Sequence, residues 1–181
     1  MNIYFLRHLK TKGNFEKRYI GRTDESLVDI EKQNITKELP KNPDVIFVSP
    51  MKRCVETASL FYKDFQIIDN LKEIDFGEFE NKTYEDLKDN MHYRNFIDGT
   101  EEALGGELRA DFNKRCLDAF YEITESANEN FTIVIVCHGG TIMSIMDILE
   151  CSKKGFYGYQ ISNGDYIKCK YKDKILSIIE N

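Results

Sequence analysis

The sequence predicts an α/β fold built on a mostly parallel sheet, and three observations carry that reading. Short apolar runs rich in β-branched and aromatic residues recur at 2–6, 44–48 and 132–136. A polar or glycine-bearing stretch and then apolar residues at helical spacing follow them along the chain. Strand–loop–helix units in succession imply parallel neighbours joined by crossovers. The C-terminal part, 157–180, alternates instead, with turn residues at Asn163-Gly164 and Lys172-Asp173. It predicts two or three antiparallel strands that finish the sheet.

The elements follow in order. Residues 2–6 (NIYFL) show no alternation, which predicts a strand buried on both faces. After Arg7-His8 the stretch LKTKGNFEKRYIGRTDES is polar, carries two glycines and predicts a long loop, a length that in compact domains usually serves function. Residues 44–48 (DVIFV) give a second buried strand, stopped by Ser49-Pro50. From Lys52 to Tyr62, apolar or small residues at 54, 55, 58, 61 and 62 suit an amphipathic helix. Residues 65–68 (FQII) predict a brief third strand. LKEIDFGEFENKTYEDL then reads as a loop turning at Gly77, with a helix capped near Thr83. The segment 91–106 is polar and aromatic and ends in Gly105-Gly106. From Glu107 to about Ser126, apolar residues at 108, 112, 116, 119, 120 and 123 predict a helix. Residues 132–136 (TIVIV) are a strand, followed by CHGG and a helix containing IMSIMDILE. No repeat, low-complexity tract or linker divides the chain. Residues 1–181 are expected to form one domain, with a small cap-like insertion around 70–106.

Composition narrows the classes. With 41% apolar and 31% charged residues among 181, the chain reads as globular. A net charge of −6 disfavours nucleic acid or an anionic membrane as partner, while a local cluster of Arg and His can still dominate a pocket for a small anion. No run approaches the ~20 apolar residues of a membrane helix, and the N-terminus lacks a signal-peptide cleavage site. Cysteines 54, 116, 137, 151 and 169 form no CxxC and read as buried, reduced thiols of a cytoplasmic protein.

In open α/β sheets, ligands bind beyond the carboxyl ends of the strands. The first strand ends in Arg7-His8. The second ends in Ser49-Pro50, and its helix opens with Lys52-Arg53. The strand 132–136 ends in Cys137-His138-Gly139-Gly140. Two of the three histidines and two arginines thus fall at one edge; His92 does not. These residue types suit phosphoryl transfer. A neutral imidazole nitrogen can attack phosphorus and hold the phosphoryl group covalently. Arginine forks match phosphate oxygens. Glycines at a helix start let backbone N–H groups approach an anion. An acid must protonate the leaving oxygen, and Glu73, Asp75, Glu78 and Glu80 are the candidates. Read singly, Arg53 is a solvated helix-start charge and the four carboxylates an acidic loop; their order along the chain is what gives them weight. No HxH or HExxH pattern points to a metal, and Arg7 and Arg53 would repel a cation.

The ordered blocks resemble the histidine phosphatase superfamily, in its phosphoglycerate mutase-like branch of cofactor-independent phosphatases. The similarity runs from residue 3 to about 150. It is carried by Leu6-Arg7-His8-Leu9-Lys10-Thr11, by Asn14 with Gly21-Arg22-Thr23-Asp24-Glu25-Ser26-Leu27, and by Ser49-Pro50-Met51-Lys52-Arg53-Cys54-Val55-Glu56-Thr57-Ala58. Leu71 to Glu80, Gly105-Gly106-Glu107-Leu108 and His138-Gly139-Gly140 complete it. The resemblance implies a three-layer sandwich with helices on both faces of the sheet. It implies that His8 is the phosphorylated nucleophile, that Arg7, Arg53 and His138 complete the phosphate pocket with Gly139, that Asn14 contacts the phosphate, and that Glu73 is the general acid and later the base. Activity is then expected on the acid side of neutrality. No metal or organic cofactor is implied, and a monomer or homodimer is expected.

Three positions depart from the family pattern. Leu9 replaces a Gly and forbids easy positive φ. Lys10 replaces a Glu, and Leu108 replaces a Ser. Leu9, Lys10, Gly21 and Arg22 are therefore substrate-pocket candidates. Within the superfamily, the blocks around 14–27, 71–80 and 105–115 are most similar to α-ribazole-5′-phosphate phosphatases, which serve cobalamin nucleotide-loop assembly. The alternatives are a broad sugar or nucleotide phosphatase, a phosphoglycerate mutase, and an impaired phosphate-binding module. Phe15, Tyr19, Phe76, Phe79, Tyr84, Tyr93 and Phe96 are expected over the site, either stacking on a flat base or forming the small core of the cap.

Overall fold

A computed structural model describes residues 1–29 and 38–179. Four strands of its sheet are parallel: β1 (Asn2–Arg7), β2 (Val45–Val48), β3 (Gln66–Ile67) and β4 (Thr132–Cys137). Two more, β5 (Tyr166–Lys172) and β6 (Ile175–Ile178), extend it antiparallel, in the order β3-β2-β4-β1-β5-β6. β1 and β4 therefore lie side by side at the centre, although some 130 residues separate them in sequence.

Alternation along the central strands sends side chains to two cores. On one face Ile3, Phe5, Ile133 and Ile135 meet α5 (Arg109–Glu125) and α6 (Gly139–Leu149) through Phe112, Cys116, Phe120, Ile142 and Ile145. On the other, Leu6, Val48, Val134 and Val136 meet α2 (Lys52–Ser59) through Cys54 and Ala58. The result is three layers, with helices on both faces of a six-stranded sheet. The remaining helices are short: α1 (Lys12–Phe15), α3 (Tyr84–Leu87) and α4 (Met91–Asp98). Thr11 and Thr83 start α1 and α3, each with a reciprocal capping box.

Three elements differ from the sequence reading, and the tail takes the smaller of its two expected strand counts. β3 spans two exposed residues only, because its side chains lie at the rim of the sheet. Residues 91–98, polar and aromatic with no element assigned from sequence, form α4, which Asn90 caps through Tyr93 N–H and Gly99 ends in the left-handed region at φ 77°. Residues 156–159 form a 3-10 turn, not a strand, so the tail holds two antiparallel strands. Their hairpin turns on Asp173-Lys174, one residue later than expected, both at positive φ (51° and 62°). Between β3 and α5, Leu71, Ile74, Phe79, Leu87, Tyr93 and Phe96 join the same core that α5 and α6 cover. Four of the five cysteines are buried; Cys151 is exposed. Burial pushes the Cys54, Cys116 and Cys169 thiols up to about 12. No helix among the described residues is long and apolar enough to cross a membrane.

Candidate active site

Arg7 of β1 lies opposite Cys137 of β4, so the chain leaves both strands at the same height. His8 N–H continues the ladder by donating to the Cys137 carbonyl at 3.0 Å. The rings of His8 and His138 consequently face each other edge-on, 5.2 Å between centroids.

The two imidazoles are set up as opposite tautomers. His8 Nδ1 lies 2.6 Å from the Leu9 carbonyl oxygen. A carbonyl only accepts, so Nδ1 carries the proton and Nε2 keeps its lone pair. Burial first, then the charges of Arg53 and Arg7, hold His8 well below the usual 6.5. At His138, Arg53 Nε donates to Nδ1 at 3.2 Å. Its proton therefore sits on Nε2, 2.8 Å from Ser49 Oγ. Burial, then Arg53, His8 and Arg7, push His138 well below 6.5 as well. Both rings are neutral near pH 7.

A cavity of about 370 Å³ reaches His8. Arg7, Asn14, Glu73, Gly139, Gly140 and Asn163 surround its inner end. Arg7 donates Nη1 to the Ile161 carbonyl at 2.7 Å, and its Nε is buried without a partner. Asn14 Oδ1 faces Thr11 N–H, Thr11 Oγ1 and Asn163 Nδ2 at 3.1, 3.2 and 3.3 Å. That occupies its acceptor and leaves the Nδ2 donor for a ligand. Glu73 Oε2 accepts the Gly140 N–H at 2.8 Å and Oε1 accepts the Ile74 N–H at 2.9 Å. The carboxylate thus sits on the N-terminus of α6, where the helix dipole favours it. A Cβ at Gly140 would run into Glu73 Oε1, and one at Gly139 would lie 3.2 Å from Arg7 Cζ. Glycine is what lets acid and arginine close on this turn.

The loop bearing Glu73 hangs from α5. Arg115 forks Glu107 with Nε to Oε1 at 2.6 Å and Nη2 to Oε2 at 2.8 Å. The same guanidinium donates to the carbonyls of Asn70 (2.9 Å), Lys72 (2.7 Å) and Glu73 (3.0 Å). Its donors are thereby saturated, and the Glu73 backbone is held from outside the cavity.

Of the residues expected at the site, His8, Arg7, Asn14, Glu73 and Gly139 line the cavity. Arg53 and His138 stand one layer back, fully buried behind His8. Arg53 cannot turn outward cheaply, since Nη1 and Nη2 serve the Thr23 and Gly21 carbonyls at 2.8 and 2.7 Å. Among the candidate acids, Glu80 accepts from Gly21 N–H, Arg22 N–H and Thr23 Oγ1, Asp75 from Gly77 N–H, and Glu78 is exposed. Glu73 is the one of the four that reaches the cavity.

The expected substrate-pocket residues need correction. Leu9, Lys10, Gly21 and Arg22 are not in the cavity wall. Leu9 is buried, gives its N–H to Thr57 Oγ1 at 3.0 Å, and does not have a positive φ, so the missing glycine leaves no strain. Lys10 lies over the Phe15 ring, 5.0 Å from its centroid. Gly21 faces Glu80, and Arg22 faces Asp75 and Glu107 at 3.9 and 3.8 Å. Leu108 is the N-cap of α5 and makes no side-chain cap. Its departure from Ser touches a helix end, not the cavity.

The sequence reading reaches only part of the outer cavity. Lys17, Arg18, Arg109, Met143, Phe156 and Tyr157 line it, beside Tyr19, Phe76 and Phe96 from the expected aromatic set. Phe79 and Tyr93 are core, while Phe15 and Tyr84 are exposed. Asn163, a turn residue by sequence, also donates Nδ2 to the His8 carbonyl at 3.0 Å. His92 is exposed beside Glu101. Among the described residues, no three His, Cys, Asp or Glu side chains converge as metal ligands would.

Residues 3–179 match the Histidine phosphatase superfamily (branch 1). A candidate alpha-ribazole-5′-P phosphatase of Escherichia coli K-12 superposes with a TM-score of 0.80 at 19% identity, covering 99% of this chain and 94% of its own. The alpha-ribazole phosphatase of Shigella flexneri gives 0.78 at 19% identity, with 99% and 95% covered. A structure from Thermus thermophilus gives 0.75 at 23% identity, with 97% and 96% covered. At these identities the likeness speaks for the fold alone. Among curated proteins, none matches this sequence.

Proposed function

The chain belongs to the histidine phosphatase superfamily, branch 1, and from that premise we propose that it is a phosphomonoesterase working through a phosphohistidine on His8. The observation that carries the reading is the His8 Nδ1–H to Leu9 carbonyl bond, which leaves Nε2 unprotonated beside Arg7. In the first step the Nε2 lone pair attacks phosphorus and the P–O bond to the alcohol breaks. Glu73 gives its proton to the leaving oxygen. In the second step water attacks the phosphoryl group, Glu73 takes a proton from that water, and the P–N bond electrons return to Nε2. Arg7, Asn14 Nδ2 and the start of α6 offset the phosphoryl charge. Arg53 and His138 act from behind, keeping His8 neutral and oriented. The segment around 70–106 serves as a cap over the alcohol, and the buried thiols suit a reducing cytoplasm.

A generic aryl phosphate tests the activity. The wild type turns it over and forms an acid-labile label on His8; His8→Ala loses at least about 10³-fold in kcat. Equal rates in the two proteins would refute the mechanism.

A finer reading takes α-ribazole 5′-phosphate as substrate. The ring surfaces of Tyr19, Phe76, Phe96, Phe156 and Tyr157 in the cavity wall favour a flat base, and the two enteric neighbours carry that substrate in their names. Ranking kcat/KM across α-ribazole 5′-phosphate, sugar phosphates and nucleoside monophosphates decides it.

A further inference from the structure

Two side-chain nitrogens among the described residues are buried without a hydrogen-bond partner: Arg7 Nε and Arg109 Nε. Both arginines line the same cavity. An unpaired buried donor costs about 1–3 kcal/mol and calls for an explanation. The phosphoryl group explains Arg7. Nothing in the mechanism uses Arg109.

Arg109 is held still. Its Cζ lies 4.1 Å from the Phe156 ring centroid and 5.8 Å from that of Tyr157. Nη2 donates to the Ile97 carbonyl at 3.0 Å and approaches the Phe96 carbonyl and Tyr157 Oη at 3.4 and 3.3 Å. These partners are neutral oxygens, none of them a carboxylate. Among the described residues the guanidinium finds no compensating charge, and Nη1 stays available to donate. The cavity as a whole is cationic, with Arg7, Lys17, Arg18 and Arg109 against the single carboxylate of Glu73, in a chain whose net charge is −6. Arg18 is drawn off by Glu16 at 2.7 Å. No described carboxylate draws off Arg109 in that way.

We propose that Arg109 is a specificity-determining residue that binds a second anionic group, a carboxylate or a phosphate, on the alcohol part of the substrate. The proposal rests on the phosphomonoesterase reading and narrows it. It places esters with an anionic tail ahead of α-ribazole 5′-phosphate, whose alcohol part is neutral. Were Arg109 only a brace for the end of α4, its loss would weaken the fold and leave selectivity unchanged.

The probes are 3- and 4-carboxyphenyl phosphate, each against its neutral carbamoylphenyl isostere. Dissociation constants are measured by calorimetry on the His8→Gln protein, which does not need turnover. At least one carboxylate binds about tenfold or more tighter than its isostere, the span of a charge-assisted hydrogen bond. Adding Arg109→Gln brings that ratio to within about twofold, while Arg109→Lys, which keeps the charge, retains part of it. Equal binding of acid and amide for both isomers, or a preference that survives Arg109→Gln, overturns the proposal. Phenyl phosphate hydrolysis by the wild type is followed alongside: its absence sinks the phosphatase reading by itself, while the binding ratio still decides the role of Arg109.

Discussion

The two ends of the cavity are built differently. At the inner end, His8, Gly139 and Gly140 follow directly from the last residues of β1 and β4, and ladder bonds, capping contacts and tautomer-fixing bonds account for the orientation of each group. At the outer end, Lys17, Phe96, Arg109 and Tyr157 come from four separate segments and meet only in the folded chain. The inner end is placed by the ladders at the sheet centre. The outer end is an assembly, and single substitutions can alter it without touching the chemistry. On the proposed reading, reaction type and substrate choice are thus encoded in different parts of the sequence.

That division can be broken or sharpened experimentally. After the loss already expected of His8→Ala, the largest effect is expected from Glu73→Gln at the inner end. It should cost about 10²–10⁴-fold in kcat with an alkyl phosphate and much less with a nitrophenyl phosphate, whose leaving group needs no proton. Equal losses with both would remove Glu73 as the acid. Gly140→Ala should displace the same carboxylate, since its Cβ has no room beside Oε1. A fall of about 10–100-fold in kcat with a near-constant KM is expected; an unchanged kcat would show that the seat of Glu73 on α6 does not matter.

The two buried imidazoles should also mark the inner end in a denaturation experiment. Both are held well below 6.5, so the unfolded chain binds more protons than the folded one beneath that pH. Their contribution is whole above about pH 6.5 and is lost as pH falls from there toward the folded values. The unfolding free energy should therefore drop between about pH 6.5 and 5.5 with a slope of up to about 2.7 kcal/mol per unit for the pair. His138→Gln should roughly halve that slope. A flat profile across this window would mean that the rings are not kept neutral. The smallest effect lies away from both ends. Leu108→Ser should cap α5 and stabilise the protein by about 1 kcal/mol in urea melts, leaving kcat/KM as it was.

The inner end is legible in the sequence because strand-end chemistry is local. Arg7-His8 and His138-Gly139-Gly140 each directly follow a run of β-forming residues, so period and motif agree. Asn14, a few residues beyond the first of these motifs, also reaches the cavity as its block implies. Leu9 shows the limit of position-by-position reading: losing a glycine suggests a strained loop, yet the backbone there is ordinary and Thr57 takes its N–H. Arg109 carries no signal of its own, since its meaning depends on Phe156 and on the end of α4. α4 itself is obscured by polar residues between Tyr93 and Phe96, although Asn90 and Gly99 bracket it as cap and stop. A third tail strand is suggested by alternation that residues 156–159 spend on a 3-10 turn instead.

The approach to β5 has a consequence for how the protein is made. Arg7 and His8 both offer carbonyls to Gly164 N–H at 3.0 and 3.3 Å, Asn163 reaches the His8 carbonyl, and Ile161 takes a donor from Arg7. His8 leaves the ribosome some 150 residues before the segment that braces it, Ile161 to Gly164. β1 has no neighbour on its β5 side until that segment emerges, so a nascent chain already carries Arg7, His8, Glu73 and His138 some two dozen residues before it can hold them in register. On the proposed phosphatase reading, synthesis order alone should keep the growing polypeptide silent toward phosphate esters until that segment has emerged and paired with β1.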